Sequence, residues 1–154
     1  MTELTVGMQA PAINSRDQDG NPISLDQFTG KKVVLYFYPK DDTPGCTAEA
    51  CDFRDNHQAL LDKGFIILGV SVDDEESHKK FVSKHNLPFP LLADTDHQIV
   101  NDYGVWGEKN MYGKKYMGVN RRTFIIDENG VIKGIIRKVD TKNASAQVLE
   151  LLSV

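Results

Sequence analysis

Unbroken apolar runs of strand length are the clearest pattern in the first half of the chain. Residues 33–38 are β-branched, aliphatic or aromatic at every position, and residues 65–72 form a second run broken only by Gly69 and Ser71. Strands that are apolar almost throughout are typical of the middle of a sheet covered on both faces. A shorter run at residues 90–93 predicts a third strand, so we expect a sheet with a buried centre.

The segments between these strands carry helix signals. Pro44 opens the first helix and Gly64 follows its end, which is the usual asymmetry of helix boundaries. Asp73 or Asp74 caps a second helix, which runs to about His85. The strands and helices of this half of the chain therefore alternate, and alternation predicts parallel strands joined by helical crossovers.

Turn sequences predict a hairpin near each end of the chain. Residues 12–25 read as an N-terminal hairpin that turns at residues 19–22. Residues 123–127 and 131–137 are strand-like and flank a Glu-Asn-Gly turn. A short helix at residues 97–103 lies between the two hairpins.

The C-terminal residues predict a last helix with one apolar stripe, formed by Ala144, Val148, Leu151 and Leu152. Residues 109–116 are polar and predict a loop. Together these elements predict an α/β fold, with a mixed central β-sheet flanked by helices, in a single domain over residues 1–154.

Composition excludes several classes of function. The 154 residues are 40% hydrophobic and 26% charged, as in a folded globular protein, and the net charge of −4 argues against nucleic-acid binding. The N-terminus has no basic, apolar signal sequence, and the apolar runs are too short to cross a bilayer. We therefore expect a cytoplasmic protein, although one whose targeting peptide had been removed would look the same.

The candidate chemistry lies in Cys46 and Cys51, which are the only two cysteines. Cys46 falls in the first turn of the helix that Pro44 opens, where free N–H groups and the helix dipole favour a thiolate. In a reducing compartment a close cysteine pair is more often catalytic or metal-binding than structural. A zinc site would need two further ligands. The histidines show no paired ligand spacing and are expected at the surface; they are His57, His78, His85 and His97.

The motif Pro39-x-x-x-Thr43-x-x-Cys46, between a buried strand and a helix, resembles the active-site motif of peroxiredoxins. Its continuation through Cys51 resembles the subfamily called bacterioferritin comigratory protein, or peroxiredoxin Q. Residues 103–109 and 121–127 extend the likeness, which covers nearly the whole chain. The resemblance implies a thioredoxin-like fold with an N-terminal β-hairpin and the activity of a thiol peroxidase.

The resemblance also implies roles for individual residues. Cys46 is the peroxidatic residue, whose thiolate attacks a peroxide oxygen and becomes a sulfenic acid. The family has a site arginine three residues before a strand phenylalanine, a position that corresponds to Arg121. Arg122 is adjacent, but neighbouring side chains of a strand point to opposite faces, so only one of the two can enter the site. We expect that residue to be Arg121.

Three further residues have both a functional and an ordinary interpretation. The Thr43 hydroxyl can bond the peroxide or the thiolate, or Thr43 can simply cap the helix. Pro39 can shield the thiolate from water, and it also ends the strand. Glu49 resembles the family glutamate that orients the arginine, but a solvated charge on the helix surface is nearly as good an interpretation.

Cys51 is implied to be the resolving residue, which attacks the sulfenic acid and forms an intramolecular disulfide with Cys46. Five helical residues separate the two Cα atoms by about 8.6 Å. A disulfide needs about 7 Å or less. We therefore predict that the first turns of this helix unwind in each catalytic cycle.

The resemblance implies hydrogen peroxide and alkyl hydroperoxides as substrates, and a thioredoxin-like protein as the reductant. The chemistry needs no metal or organic cofactor, and the sequence has no dinucleotide-binding fingerprint. An internal resolving cysteine favours a monomer. Two alternatives stay open: a disulfide oxidoreductase, which would be expected to carry Cys-x-x-Cys, and a binding or holdase protein that uses the cysteines as a switch.

Overall fold

The computed structural model describes residues 3–152, which form nine strands and five α-helices with one 3₁₀ turn at Leu25–Phe28. The strands are β1 (Asn14–Arg16), β2 (Pro22–Ser24), β3 (Lys32–Phe37), β4 (Phe65–Ser71), β5 (Leu91–Ala93), β6 (Trp106–Met111), β7 (Lys114–Val119), β8 (Arg122–Ile126) and β9 (Ile132–Ile136). The helices are α1 (Pro44–Asp55), α2 (His57–Asp62), α3 (Glu75–His85), α4 (Gln98–Asp102) and α5 (Ala144–Leu152).

The predicted mixed sheet is confirmed. Its five strands lie in the order β5-β4-β3-β8-β9, with β3 in the centre. β3, β4 and β5 are parallel, whereas β8 is antiparallel to both β3 and β9. β1 and β2 form the predicted N-terminal hairpin as a separate two-stranded sheet. Because the parallel strands all end at one edge, the loop after β3 opens there, where α/β folds usually place their sites.

Two apolar clusters cover the two faces of this sheet. Leu35 and Phe37 of β3 pack on one face with apolar residues of α4 and the N-terminal segment. Val34 and Tyr36 point to the other face, as the strand pleat requires, and pack with α1, α2, α3 and α5. The fully apolar sequence of β3 is thereby explained, and Cys46 belongs to the second cluster.

The first helix is shorter than predicted. A single helix ending near Gly64 was expected, but α1 stops at Asp55 and α2 begins at His57. Asn56 separates them with φ −108° and ψ 10°, and its side-chain amide donates to the Asp52 carbonyl at 2.8 Å. Short polar side chains compete in this way for backbone groups and interrupt helices. The prediction of one continuous helix was wrong at this residue.

The prediction of a loop at residues 109–116 is also wrong. β6 and β7 pair antiparallel over their whole length, and Tyr112 and Gly113 form the turn with φ of +52° and +81°. Positive φ at both central residues is the hairpin turn that matches strand twist. The hairpin is largely exposed, so it lacks the apolar alternation by which strands are recognised in a sequence.

His78 is buried, contrary to the expectation that the histidines lie at the surface. Its Nδ1 lies 2.6 Å from Asp41 Oδ2, and its Nε2 lies 2.9 Å from the Leu92 carbonyl oxygen. Both partners are acceptors, so both ring nitrogens carry protons. Burial alone would lower the pKa of His78, but the hydrogen bond to Asp41 and its negative charge raise the pKa overall.

Asp41, the partner of His78 in this ion pair, also fixes the loop after β3 through other hydrogen bonds. Its Oδ1 accepts a hydrogen bond from the Tyr38 hydroxyl at 2.6 Å, and its Oδ2 accepts a second from Ser77 at 2.8 Å. Its backbone N–H donates to Asp73 Oδ2 at 2.9 Å. The loop that leads to Cys46 is therefore fixed to α3 and to the end of β4.

We predict that His78→Asn lowers the free energy of unfolding by about 2 kcal/mol, because a buried charged partner of Asp41 is lost. Since the pKa of His78 is raised by folding, its contribution is fully present below about pH 6.5 and is lost as the pH rises through the folded-state pKa. Urea denaturation at about pH 6 and about pH 9 measures this. His57→Asn is the control and should show no such loss. A stability difference that does not change with pH would contradict the ion pair.

Candidate active site

Cys46 is the third residue of α1, which begins at Pro44 with Thr43 as its N-cap. Its side chain is buried, with 1% of its surface exposed. The first intrahelical bond after the cap runs from the Thr47 N–H to the Thr43 carbonyl at 2.8 Å. The N–H groups of Gly45 and Cys46 therefore have no acceptor within the helix and are directed toward its N-terminal end. This end provides partial positive charge beside the thiol.

Arg121 bridges Cys46 and Glu49. Its Nη2 donates to Cys46 Sγ at 3.2 Å, and its Nη1 donates to Glu49 Oε1 at 2.7 Å. The guanidinium reaches the thiol because β8 pairs with β3, with Arg122 opposite Phe37, so that residue 121 lies beside the loop after β3. The fixed planar geometry of the guanidinium suits two such simultaneous bonds.

Arg122 points elsewhere, as strand alternation requires. It lines a different cavity together with Glu3 and Arg137. Burial lowers the pKa of Arg122, and the positive charge of Arg137 lowers it further. The structure thus brings Arg121, and not Arg122, to Cys46.

Glu49 is fully buried, which rules out a solvated charge on the helix surface. Burial raises the pKa of Glu49 to about 7, although the positive charge and the hydrogen bond of Arg121 act in the opposite direction. Its second oxygen, Oε2, is buried and has no hydrogen-bond partner among the described residues. The pKa of Arg121 is raised overall because Glu49 and Cys46 outweigh its burial. Arg121 therefore stays charged beside the thiol.

Gly45 provides the space that Arg121 needs. A Cβ atom at this position would lie 3.2 Å from Arg121 Nη2, closer than most such contacts. Thr43 lies at the N-cap, but its hydroxyl makes no cap hydrogen bond and donates instead to the Lys40 carbonyl at 2.9 Å. The proton of the hydroxyl is thus engaged, and the lone pairs of its oxygen remain able to accept. Pro39 follows the end of β3 and is partly buried.

Cys51 lies on the same intact helix and is partly buried. Both cysteines are free thiols. Because α1 is continuous from Pro44 to Asp55, the Cα separation of about 8.6 Å expected for an α-helix applies. Cys46 is thus a buried thiol in contact with the Arg121 guanidinium. It cannot form a disulfide with Cys51 while the helix is intact.

Comparisons with known proteins place the chain in a family. Residues 6–135 match the model of the AhpC/TSA family. The chain is 49% identical to a putative peroxiredoxin from Coxiella burnetii over 95% of this chain and 97% of that protein. It is 46% identical to a peroxiredoxin of Bacillus subtilis over 97% of this chain and 95% of that protein. The chain is a peroxiredoxin of the AhpC/TSA family.

Solved structures of peroxiredoxins confirm the predicted thioredoxin-like fold. A cysteine mutant of peroxiredoxin Q from Xanthomonas campestris superposes with a TM-score of 0.86 at 38% identity, covering 92% of this chain and 90% of that one. A cysteine mutant of the corresponding Xylella fastidiosa protein gives a TM-score of 0.92 at 29% identity, covering 99% and 98%. The resemblance to the bacterioferritin comigratory protein subfamily is thereby confirmed. None of the helices in residues 3–152 is long and apolar enough to cross a membrane.

Lys109 ends the segment 103–109 over which the sequence resembles the family, and it interacts electrostatically with Arg121 and Cys46. Its pKa is lowered by burial and then by the positive charge of Arg121, while the charge of Cys46 acts to raise it. Its Nζ donates to the Val119 carbonyl at 2.8 Å, which ties the two strands of the β6–β7 hairpin together. The β6–β7 hairpin thus places a second cation within electrostatic range of Cys46 and Arg121.

A cluster of ligand-type side chains in residues 3–152 lies beside the loop after β3 and does not include the cysteines. The cluster of ligand-type side chains found there is Asp41, Asp73 and His78, whose ligand atoms lie within 4.8 Å of one another. These atoms already bond one another and neighbouring donors: Asp73 Oδ2 accepts from Ser71 Oγ at 2.7 Å and from the Asp41 N–H at 2.9 Å. The cluster holds the active-site loop in place.

We predict that Arg121→Met slows the reaction of Cys46 with peroxide by about 10²- to 10³-fold, since it removes a preorganised charged donor. Arg122→Met is the matched control and should react at close to the wild-type rate. Quenched-flow reaction with hydrogen peroxide, followed by mass spectrometry of Cys46, measures both rates. Equal slowing in the two variants would mean that Arg121 acts only through the stability of the fold.

Proposed function

We propose that this peroxiredoxin reduces hydrogen peroxide and alkyl hydroperoxides with Cys46 as the peroxidatic residue and Cys51 as the resolving residue. The observation that carries the proposal is the Arg121 guanidinium, which contacts Cys46 Sγ at 3.2 Å and Glu49 at 2.7 Å. A thiol held in this way is arranged to react as a thiolate. A bacterioferritin comigratory protein from Xanthomonas campestris, described for its alkyl peroxide reduction activity, superposes with a TM-score of 0.85 at 37% identity.

The first step oxidises Cys46. The thiolate attacks one peroxide oxygen, a sulfur–oxygen bond forms, and the oxygen–oxygen bond breaks. Cys46 becomes a sulfenic acid, and the second oxygen leaves as alkoxide or hydroxide and takes up a proton to give alcohol or water. The peroxide is reduced by two electrons, which come from the sulfur.

The surrounding groups act on this step in different ways. Arg121 and the free N–H groups of the first turn of α1 stabilise the thiolate and the charge that develops on the leaving oxygen. The Thr43 oxygen accepts a hydrogen bond from the peroxide O–H, because its own proton is donated to Lys40. Glu49 orients Arg121. Pro39, which is partly buried beside the loop, keeps water away from the sulfur.

The second step joins the two cysteines. The Cys51 thiolate attacks the Cys46 sulfenic sulfur, the disulfide forms, and hydroxide leaves and becomes water on protonation. Since both residues lie on one continuous helix, the step requires the N-terminal turns of α1 to unwind. Gly45 and Thr47 are weak helix formers, which lowers the cost of unwinding.

The third step restores the two thiols. A thioredoxin-like dithiol protein attacks the exposed disulfide, becomes oxidised, and releases reduced Cys46 and Cys51. Because the chain carries its own resolving thiol, one copy is sufficient for the cycle. We therefore propose a monomer with a single domain that acts in the reducing cytoplasm, where such reductants are maintained.

We predict that one equivalent of hydrogen peroxide lowers the intact mass of the wild-type protein by two hydrogens. Cys51→Ser should consume one equivalent of peroxide and gain one oxygen, but fail to turn over with thioredoxin. Cys46→Ser cannot form the disulfide and should gain oxygen far more slowly than Cys51→Ser does. Intact-mass spectrometry and a coupled thioredoxin assay measure these outcomes.

Two results would contradict the assignment. Normal turnover by Cys51→Ser would remove Cys51 from the resolving role. Reaction of Cys46 at the rate of an ordinary thiol would favour a protein that uses the pair only as a redox switch.

A further inference from the structure

Cys51 has a histidine partner on another helix. Its Sγ lies 3.8 Å from Nδ1 of His85, the last residue of α3. The other ring nitrogen of His85, Nε2, lies 3.4 Å from Oδ1 of Asp42. The His85 side chain is 19% exposed and that of Asp42 is 47% exposed, so water reaches the Asp42 end of the group more readily than the His85 end. Thiol, imidazole and carboxylate thus form a row.

Asp42 is held as a carboxylate in this row. Its Oδ2 accepts a hydrogen bond from Lys84 Nζ at 2.8 Å, and its backbone has the left-handed φ of +57°. The hydrogen bond from Lys84, followed by that from His85, lowers the pKa of Asp42. An ionised carboxylate at Nε2 requires a proton on that nitrogen, so Nδ1 of the neutral ring is left as an acceptor facing Cys51.

The position of Cys51 explains why it would need such a partner. Cys46 lies in the first turn of α1 and contacts Arg121, whereas Cys51 lies beyond the turn in which the helix dipole acts. Arg54 also lies near Cys51, but its Nε is paired with Asp55 at 2.9 Å. The Nη1 of Arg54 donates to the His85 carbonyl at 2.8 Å and fixes the end of α3 against α1.

We propose that His85 is the general base that activates Cys51, with Asp42 as the residue that positions the imidazole. The proposal rests on the resolving role proposed above for Cys51. His85 removes the thiol proton while α1 is intact, and the thiolate then leaves with the unwinding helix. It attacks the Cys46 sulfenic sulfur, the sulfur–oxygen bond breaks, and the departing hydroxide takes a proton from the imidazolium or from water. A nucleophile, its base and an orienting third group are the usual parts of such a relay.

The reactivity of Cys51 tests the proposal without any need for unwinding. In a Cys46→Ser background, the rate of alkylation by iodoacetamide reports the thiolate at Cys51 alone. We expect His85→Asn to slow this alkylation about tenfold at about pH 7, where an ordinary thiol is only a few per cent ionised. The difference should disappear near pH 10, where every exposed thiol is ionised. His57→Asn, at a histidine on α2, is the matched control and should not change the rate.

Asp42→Asn gives a second, milder test in the same background. Asparagine tolerates the left-handed backbone, so this variant removes the charge and keeps the fold. We expect it to slow alkylation about threefold at about pH 7 and to converge with the parent near pH 10. Unchanged rates in both variants at neutral pH would overturn the proposal. Equal slowing at all pH values would show a purely structural role and would also overturn it.

The experiments distinguish a wrong resolving role for Cys51 from a wrong role of His85 as its general base. If the wild-type chain forms no disulfide after one equivalent of peroxide, the proposed function of Cys51 is wrong, whatever the alkylation rates. If the disulfide forms in the wild type and alkylation does not depend on His85, the resolving role stands and the general base is wrong.

Discussion

The geometry of one helix governs the chemistry of this protein. α1 carries both cysteines, and a continuous α-helix keeps their Cα atoms about 8.6 Å apart. The same intact helix is what prepares Cys46 to react, because its N-terminus and Arg121 converge on the sulfur. In the proposed cycle, the structure that favours the first step therefore blocks the second, and the cycle has to pass through a change in α1.

The contacts of α1 suggest how such a change is made accessible. Burial disfavours the charged form of Glu49 and raises its pKa to about 7. One of its carboxylate oxygens has no hydrogen-bond partner among the described residues. In the proposed cycle, unwinding returns this carboxylate to water and so removes the energetic cost of its burial. Oxidation of Cys46 to the neutral sulfenic acid also weakens its charge-assisted bond with Arg121. The second half of α1 is better anchored, since Phe53 is buried and Asp52 Oδ2 accepts the Ser145 N–H at 2.7 Å.

The elements around α1 are held to α3 by contacts that the proposed unwinding of its first turns leaves in place. The buried pair of His78 and Asp41 fixes the loop before the helix to α3. Arg54 and the Asp42 side chain reach the other end of α3, where His85 lies against Cys51. Cys46 and Cys51 thus face separate polar groups, Arg121 for Cys46 and the His85 and Asp42 pair for Cys51. In the proposed cycle, each thiol can therefore be activated before the two meet.

The main fold and the placing of Arg121 beside Cys46 could be predicted from the sequence because their signals are local. The apolar run of β3 indicates a central strand, and alternation along β8 distinguishes Arg121 from Arg122. The burial of His78 is not evident from its immediate neighbours in the sequence, which are polar. Its spacing of three residues from Phe81, the other buried residue of α3, was the signal that could have found it.

Other features depend on tertiary contacts that no local pattern encodes. His85 and Cys51 are 34 positions apart and meet only because α3 packs beside α1. Lys109 approaches the site on a hairpin whose exposed strands lack apolar alternation. The break at Asn56 depends on whether a side-chain amide bonds the backbone, which the sequence permits but does not require.

Hydrogen–deuterium exchange of α1 in the reduced and disulfide forms tests the central claim most directly. If both cysteines belong to one helix that must unwind, the amides between Cys46 and Cys51 lose protection in the disulfide form, while those of β3 are unchanged. Equal protection of α1 in the two forms, with the disulfide confirmed by mass, would contradict the account.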